Sequence, residues 1–324
     1  MGRTVSLKPV VESILHADTF AIVAHLHPDG DALGSALALY HALKALHKHT
    51  VHVFCHDPVP EIYRFLPGSC AVCHDAQPRT TYDMAIVCDM SQLSRAGKFE
   101  PLIRSARQIV QVDHHVPLEQ FTDLRVVDTR AAATAELAYQ LIRALQVPIT
   151  TEIATCLLTG IVTDTFSFKF PNTTPRTLRI ASILQARGAN LSAINEEVFE
   201  TRSFSAVKLL GLALSTIQRT PDGRIAWVSV SRKAFEEAGA SEDETEGIVN
   251  FARSVRGVEV AMFLRETPNH KVRVSLRSRG KVNVAEIANR FGGGGHENAA
   301  GCTLETTLAE AEKLLLKEVQ AWMV

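Results

Sequence analysis

The sequence predicts an α/β protein in which a parallel sheet carries helices on both faces and a smaller domain of strands and helices follows. Short apolar segments alternate with amphipathic ones through the first half of the chain, as in βαβ units. The length of 324 residues exceeds the usual size of one domain. Because the pattern changes after residue 216, we expect a first domain at 1–190, a helical connector at 191–216 and a second domain at 217–324.

The first domain is predicted from apolar strands and from the helix that follows the first of them. The segments TFAIVAH, HTVHVFC, YDMAIVCDM and QIVQVDHH each run from apolar into polar residues, as buried parallel strands do. The segment DALGSALALYHALKAL follows TFAIVAH, and its large side chains recur at helical spacing. The face that they form consists of Leu33, Ala36, Leu37, Tyr40 and Leu43.

Acidic and histidine side chains stand where the predicted strands end. A single aspartate there is a common turn residue, but three strand ends of this kind favour a site. In parallel α/β sheets, ligands bind beyond the carboxyl ends of the strands. The side chains expected to converge at that edge are His25, Asp29, Asp31, Asp89, Asp113, His114 and His115, with Asp164 of LLTGIVTDTFSF as a further candidate.

The segment HPDGD, residues 27–31, allows three interpretations. A calcium loop of the EF-hand type fails, because Leu33 and Tyr40 stand where oxygen ligands are required. The HxHxDH pattern of metallo-β-lactamase-type hydrolases is weakened by Gly30 at its last position. A site for two ions about 3.5–4 Å apart uses all the acids and imidazoles, and these ligand types suit Mn²⁺ or Mg²⁺. We therefore favour a two-metal site, with Asp113 orienting an imidazole.

The second domain is predicted from the strands IAWVSVS, VEVAMFLRE and KVRVSLRS. The basic residues of KVRVSLRS alternate with apolar ones, and such a face is by default solvated. The segment GGGGHENAAG, residues 292–301, favours an anion site instead. A glycine run lets backbone N–H groups approach an anion, and His296 adds a cationic donor. The Lys-Ser/Thr pair of a Walker A loop is missing.

Composition narrows the classes of partner. The formal net charge of −1 argues against a duplex DNA binder, and no apolar run reaches the roughly 18–20 residues of a membrane span. The N-terminus lacks the apolar region of a secretory signal. Six dispersed cysteines are typical of reduced thiols, so we expect a cytoplasmic protein.

Five motifs occur in the order found in the DHH phosphoesterase superfamily: HLHPDGDALGS, the isolated Asp89, VDHH, TGIVTDT and GGGGHENAAG. The chain most resembles the stand-alone nanoRNase/pAp phosphatases (bifunctional oligoribonucleases), and the resemblance covers nearly its whole length. It implies a DHH metal-binding catalytic domain followed by an α/β DHHA1 substrate-binding domain with a mixed sheet.

The resemblance also implies roles for individual residues. One Mn²⁺ ion, with Mg²⁺ as the alternative metal, would be held by His25, Asp29 and Asp89. The second ion would be held by Asp31, Asp89, His114 and Asp164, so that the catalytic Asp89 bridges the pair. Catalytic His115 would contact the scissile phosphate. The residues implied to bind substrate are Arg95, Arg277, Gly293, Gly294, Gly295 and His296.

The activity implied by the resemblance is hydrolysis, by a hydroxide that two ions activate, of very short RNA to 5′-mononucleotides and of pAp to AMP. A cyclic di-AMP or pApA phosphodiesterase is the nearest alternative, and a non-catalytic RNA- or nucleotide-binding module is a distant one. The partners expected are short single-stranded RNA, pAp and pApA, with a second copy of the chain as a further candidate. The family commonly has glycine where Phe166 stands, which concerns the wall beside Asp164.

Overall fold

The computed structural model describes residues 7–74 and 81–323. The chain forms two compact units, of which the first ends at Thr201 and the second begins at Arg202. This division falls inside the segment predicted as a connector, and the separate status of that connector stays a prediction. None of the helices that the structure describes combines the length and the apolar character that a membrane-spanning helix requires.

The first unit is built on a parallel sheet. Its described strands are β1 (Thr19–Val23), β2 (Thr50–Phe54), β3 (Val72–Cys73), β4 (Met84–Cys88), β5 (Gln108–Asp113) and β6 (Leu124–Val127). They lie in the order β3-β2-β1-β4-β5-β6, and every neighbouring pair is parallel. The reversal of strand order lies between β1 and β4, so the segments that follow these two strands leave the same edge side by side.

Helices cover both faces of this sheet, as predicted. The α-helices are α1 (Lys8–His16), α2 (Gly30–Ala45), α3 (Glu100–Ser105), α4 (Thr134–Ala144), α5 (Thr151–Asp164), α6 (Pro175–Ala186) and α7 (Leu191–Asn195). Short 3₁₀ segments occupy Glu61–Tyr63, Ser69–Ala71 and Leu93–Phe99, and a π-helical turn occupies Glu196–Glu200. Phe20 and Ile22 pack with α2, α4 and α5, whereas Ala21 and Val23 pack with α3 and the segment before it. Alternate side chains of β1 therefore pack into two separate apolar layers.

The second unit has a mixed sheet. Its helices are α8 (Phe204–Ser215), α9 (Arg232–Ala238), α10 (Ile248–Ser254), α11 (Val284–Arg290) and α12 (Leu308–Ala321), with a 3₁₀ turn at Glu242–Thr245. Its strands are β7 (Gln218–Arg219), β8 (Ile225–Val230), β9 (Val260–Glu266), β10 (Val272–Ser278), β11 (Gly294–His296) and β12 (Ala299–Leu304). The order is β11-β12-β10-β9-β8-β7, in which β8 and β9 are parallel and the other neighbours are antiparallel.

The stretch 191–216 is not one continuous helix. After α7 and the π-helical turn, Thr201 is extended, and the helical hydrogen bonding stops. Helix α8 starts afresh because the Ser203 side chain accepts a hydrogen bond from Ala206 N–H and caps it. The chain between Phe199 and Phe204 is polar, and its Ser203 is a residue type that commonly begins a helix.

Two glycines let α2 and α5 approach each other closely. A Cβ on Gly34 would lie 2.3 Å from the carbonyl oxygen of Cys156, and a Cβ on Gly160 would lie 2.6 Å from Asp31 Oδ1. Any side chain at these positions must push the helices apart. The close approach brings the end of α5, where Asp164 stands, next to the start of α2.

We expect Gly160→Ala to lower the free energy of unfolding by about 1–3 kcal/mol, because the added methyl overpacks the contact with Asp31 and Ala135. Gly211 in α8 is a matched control, since its Cβ would meet nothing within 4 Å. Gly211→Ala should raise that free energy by about 0.5–1 kcal/mol through helix propensity. Urea denaturation followed by circular dichroism measures both, and effects of the same sign would contradict the packing account.

Candidate metal centre

Asp29 and Asp31 diverge because they occupy different positions at the start of α2. Asp29 caps the helix, and its Oδ1 accepts hydrogen bonds from the N–H groups of Asp31 and Ala32 at 3.1 and 3.0 Å. Asp31 lies in the first turn and is fully buried. Gly30 between them is helical, and a Cβ there would lie 2.4 Å from Thr163 Cγ2. The missing side chain of Gly30 therefore makes room for α5.

Asp89 follows β4 and lies at the centre of the cluster. It is 3% exposed and has a left-handed backbone with φ of 59°, a conformation that aspartate tolerates better than most residues. Its Oδ2 lies 3.4 Å from His25 Nε2, while its Oδ1 lies 3.6 Å from His114 Nε2 and 3.5 Å from His115 Nδ1. The two carboxylate oxygens thus face different histidines.

The predicted ligands form overlapping groups around Asp89. His25, Asp29 and Asp89 present nitrogen or oxygen atoms within 4.8 Å of one another, and so do Asp31, His114 and Asp164. Asp89 also groups with His114 and His115. The first group has the residues that the resemblance implies for one ion, and the second has those implied for the other ion except Asp89, which lies beside His114. That these residues bind metal stays a prediction. Carboxylates with imidazoles and no thiolate fit a hard divalent cation.

The acids and histidines of the cluster shift one another's pKa values. Burial alone would lower the pKa of His25 and of His114, but the neighbouring carboxylates outweigh it and raise these values to about 10 and about 11. Burial and the charge of Asp89 raise the pKa of Asp31 well above its ordinary value. Burial likewise raises the pKa of Asp164 to about 6. Without a cation, the cluster therefore keeps protons on its imidazoles.

We expect Mn²⁺ binding to release protons, because His25 and His114 are protonated at neutral pH in the metal-free protein and a histidine ligand is neutral. The apparent affinity for Mn²⁺ should therefore rise as pH rises from neutral toward those raised pKa values, and fall as pH falls. Titration calorimetry in buffers of different ionisation enthalpy measures the released protons. His27→Asn is the control, since His27 lies in the same turn with its side chain 85% exposed. Binding without proton release would contradict this account.

Asp113 hydrogen-bonds to the ring and to the backbone of His115. Its Oδ1 accepts hydrogen bonds from His115 Nδ1 at 2.8 Å and from His115 N–H at 3.1 Å, and its Oδ2 accepts one from Gln111 Nε2. Asp113 is fully buried. These bonds engage Nδ1 of His115, so Nε2 is the ring nitrogen that can face a substrate oxygen.

Arg95 lies beside the first group of ligands. Its Nη2 is 2.9 Å from His25 Nδ1, and the same Nδ1 is 2.8 Å from the carbonyl oxygen of Leu26. The carbonyl can only accept, so its bond requires a proton on Nδ1 and directs Nε2 toward Asp29 and Asp89. The guanidinium can only donate, so it could bond to this Nδ1 only if the nitrogen carried no proton. The Arg95 guanidinium and the Leu26 carbonyl therefore cannot both bond to Nδ1 of His25 in one protonation state.

The predicted substrate residues of the second unit lie on β10 and on the β11–β12 hairpin. Arg277 is half-buried, and burial beside Arg253 holds the pKa of its guanidinium below the ordinary value. His296 is exposed at the end of β11.

The glycine run has a packing role that the sequence did not reveal. A Cβ on Gly293 would lie 2.1 Å from the oxygen of Gly301, and one on Gly295 would lie 2.4 Å from the oxygen of Ala299. Gly294 pairs with Gly301 in the hairpin. Close pairing of two strands thus accounts for two of the four glycines, and a role in anion binding stays a prediction.

The start of α4 is a part of the site that sequence reasoning missed. The N–H groups of Thr134 and Ala135 donate to the two oxygens of Asp31, and the Thr134 hydroxyl donates to Asp89. The available signal was TAEL after three alanines, a polar residue at the start of a helical pattern. Nothing local in that segment indicates that its partner is an aspartate 103 residues earlier.

Family models match both parts of the chain. The model described as "DHH family, N-terminal domain" matches residues 19–161, and the model described as "DHHA1 domain" matches residues 224–324. The first match contains all the candidate ligands except Asp164, and the second contains Arg277, the glycine run and His296.

Two relatives of the same name match over most of their length, and a third matches over about half of its length. The chain is 39% identical to the bifunctional oligoribonuclease and PAP phosphatase NrnA of Thermus thermophilus, over 92% of the chain and 88% of the relative. It is 28% identical to the protein of the same name from Bacillus subtilis, over 94% of the chain and 95% of the relative. It is also 28% identical to the cyclic-di-AMP phosphodiesterase PdeA of Listeria monocytogenes, but there it spans only 49% of the relative.

One solved structure matches almost completely. An exopolyphosphatase-related protein from Bacteroides fragilis superposes with a TM-score of 0.94, at 28% identity, over 99% of this chain and 98% of that one.

Proposed function

Because the chain belongs to the DHH/DHHA1 family of phosphoesterases, we propose that it is a Mn²⁺-dependent hydrolase of very short RNA and of pAp. The products are 5′-mononucleotides and AMP. One observation carries the proposal: the buried Asp89 directs its two oxygens to different histidines, each of which belongs to a separate group of candidate ligands. The 39% identity to an oligoribonuclease and PAP phosphatase supports the choice of substrate.

The acidic and histidine side chains of this cluster suit a site with two bound cations better than a metal-free site. The charges of four neighbouring carboxylates act on one another, and the raised pKa values of His25 and His114 reflect that excess of negative charge. We propose that His25, Asp29 and Asp89 hold one ion, and that Asp31, His114 and Asp164 hold the other together with Asp89. Two such ions, when bound by these residues, would supply an activated water and would stabilise charge on the phosphoryl group.

The remaining residues of the first unit act on the substrate. His115, oriented by Asp113, donates from Nε2 to a non-bridging phosphate oxygen. Arg95 leaves His25 Nδ1 to Leu26 and contacts a substrate phosphate. For the second unit taken by itself, we propose that Arg277, His296 and the N–H groups of the glycine run bind an anionic group. A desolvated guanidinium binds a phosphate more strongly than a solvated one, which supports Arg277 in this role.

The free thiols bear on the cell compartment in which the protein acts. The structure records all six cysteines as free, and three of them are fully buried. Such thiols suit a reducing compartment. We propose that the protein acts in the cytoplasm on the short fragments that other nucleases leave.

The similarity to a cyclic-di-AMP phosphodiesterase points to a second substrate class, which an experiment can test. A side-by-side turnover assay with Mn²⁺ on dinucleotide RNA, pAp, pApA and cyclic di-AMP separates the candidates. The proposal expects turnover of dinucleotide RNA and pAp. Turnover of cyclic di-AMP and pApA alone would favour the second class, and binding of RNA without turnover would favour a binding module.

A further inference from the structure

We infer that Thr134 is a positioning residue that fixes the two central carboxylates, Asp31 and Asp89, relative to each other. The inference rests on the proposed two-metal function and deepens it. It assigns to one threonine, through its backbone N–H and its hydroxyl, the separation of Asp31, which is proposed for one ion, from Asp89, which is proposed to bridge both. Thr134 itself contacts neither substrate nor metal in this account.

The first contact is to Asp31. The Thr134 N–H donates to Asp31 Oδ2 at 2.6 Å, and the N–H of Ala135 donates to Asp31 Oδ1 at 2.9 Å. These groups are the first two N–H groups of α4, which lack helical partners. The residue before them, Ala133, has no side chain that can cap the helix. The Asp31 carboxylate therefore caps α4 from a distant part of the chain, and the helix holds both of its oxygens.

The second contact is to Asp89. The Thr134 hydroxyl donates to Asp89 Oδ1 at 2.8 Å. This is the oxygen that faces His114 and His115. The hydroxyl leaves Asp89 Oδ2 to face His25. One residue thus holds Asp31 by its backbone and orients Asp89 by its side chain.

Burial makes these contacts specific. Thr134, Asp31 and Asp89 are at most 3% exposed, so water does not replace a lost hydrogen bond. The first turn of α4 is itself held in place, because the buried Glu136 accepts hydrogen bonds from Arg176 Nε and from Thr177 Oγ1, both at 2.6 Å. Thr134 is therefore a fixed reference point for both aspartates.

The hydroxyl can be tested separately from the helix. Thr134→Val has nearly the same shape and keeps the backbone N–H on Asp31, but it removes the donor to Asp89. Thr134→Ser restores that donor. Thr159→Val is a matched control, because Thr159 is also fully buried and its hydroxyl donates to a carbonyl oxygen of its own helix, that of Thr155.

The measurements are the affinities for two Mn²⁺ ions by titration calorimetry and the spin coupling of the ion pair by electron paramagnetic resonance. Both are read without substrate. We expect Thr134→Val to bind the second ion about 10–100-fold more weakly and to lose or change the coupled spectrum, as outer partners of metal ligands do. Thr134→Ser should bind like the wild type, and so should Thr159→Val.

Wild-type affinity and an unchanged coupled spectrum in Thr134→Val would overturn the inference and leave the proposed function standing. An equal loss in Thr159→Val would also overturn it, because the effect would then follow from burying an isopropyl group in the unit. If the wild type itself binds fewer than two ions, the proposed function fails first. These outcomes separate the two claims.

Discussion

Asp89→Asn is expected to abolish the coupled metal pair and to lower turnover of dinucleotide RNA by more than about 100-fold, the upper end of the loss for outer partners of a metal site. Asparagine keeps the shape of aspartate and tolerates the left-handed backbone at φ of 59°, so the fold is retained. It lacks the charge that faces His25 on one side and His114 on the other. Bound Mn²⁺ should fall below two ions per chain by mass spectrometry of the metal.

Asp83→Asn is the matched control for this prediction. Asp83 precedes β4 as Asp89 follows it, and its carboxylate accepts hydrogen bonds from Thr19 at the opposite edge of the sheet. This variant should bind two ions and keep its turnover. Equal turnover in Asp89→Asn and the wild type would contradict the central role of Asp89.

His115→Ala is expected to lower turnover by about 10²–10³-fold while two Mn²⁺ ions remain bound. In the proposed mechanism the ring stabilises charge on a phosphate oxygen, and removal of one such donor has an effect of this size. The ring stands within reach of Asp89, so the alternative that it ligates an ion is open to the same experiment.

Asp113→Asn is the companion variant. It weakens the hold on His115 Nδ1 without removing the ring, so turnover should fall by a smaller factor, about 10–100-fold, with metal binding unchanged. Loss of one bound ion in His115→Ala would show that the histidine is a ligand instead.

Much of the fold could be predicted because its elements are encoded locally. Apolar strands that end in polar residues mark β1, β4 and β5, and parallel connections bring their carboxyl ends to one edge. Part of the acid cluster could be predicted from the same pattern, since Asp89 directly follows β4 and Asp113 ends β5. Asp29 and Asp31 instead stand at the start of α2, and Asp164 ends α5. The break at Thr201 was not predicted, although the polar stretch from Glu200 to Ser203 includes a residue type that commonly caps a helix.

The contacts of α4 could not be predicted, because their partners are remote in sequence. Thr134 is an ordinary first residue of a helix until the fold brings Asp31 to its N–H. The glycine run is the reverse case, in which a local pattern is clear in the sequence but has two structural explanations. Its composition favours an anion loop, but Gly293 and Gly295 are also required for close pairing of β11 and β12.

The turn after Asp164 has a backbone conformation that its residue types do not predict. Phe166, Ser167 and Phe168 are all left-handed, with φ of 47°, 53° and 64°, where glycine is favoured. The Phe166 ring stacks on Phe170 at 5.3 Å and meets Phe199 edge-on at 4.9 Å. Phe166, whose backbone is left-handed, thus belongs to an aromatic cluster that begins two residues after Asp164.

The most direct test of the account is X-ray diffraction at the manganese absorption edge from crystals grown with Mn²⁺. The account predicts two anomalous peaks about 3.5–4 Å apart, with Asp89 between them, His25 and Asp29 on one side, and Asp31, His114 and Asp164 on the other. A single peak, or two peaks that do not share Asp89, would contradict it.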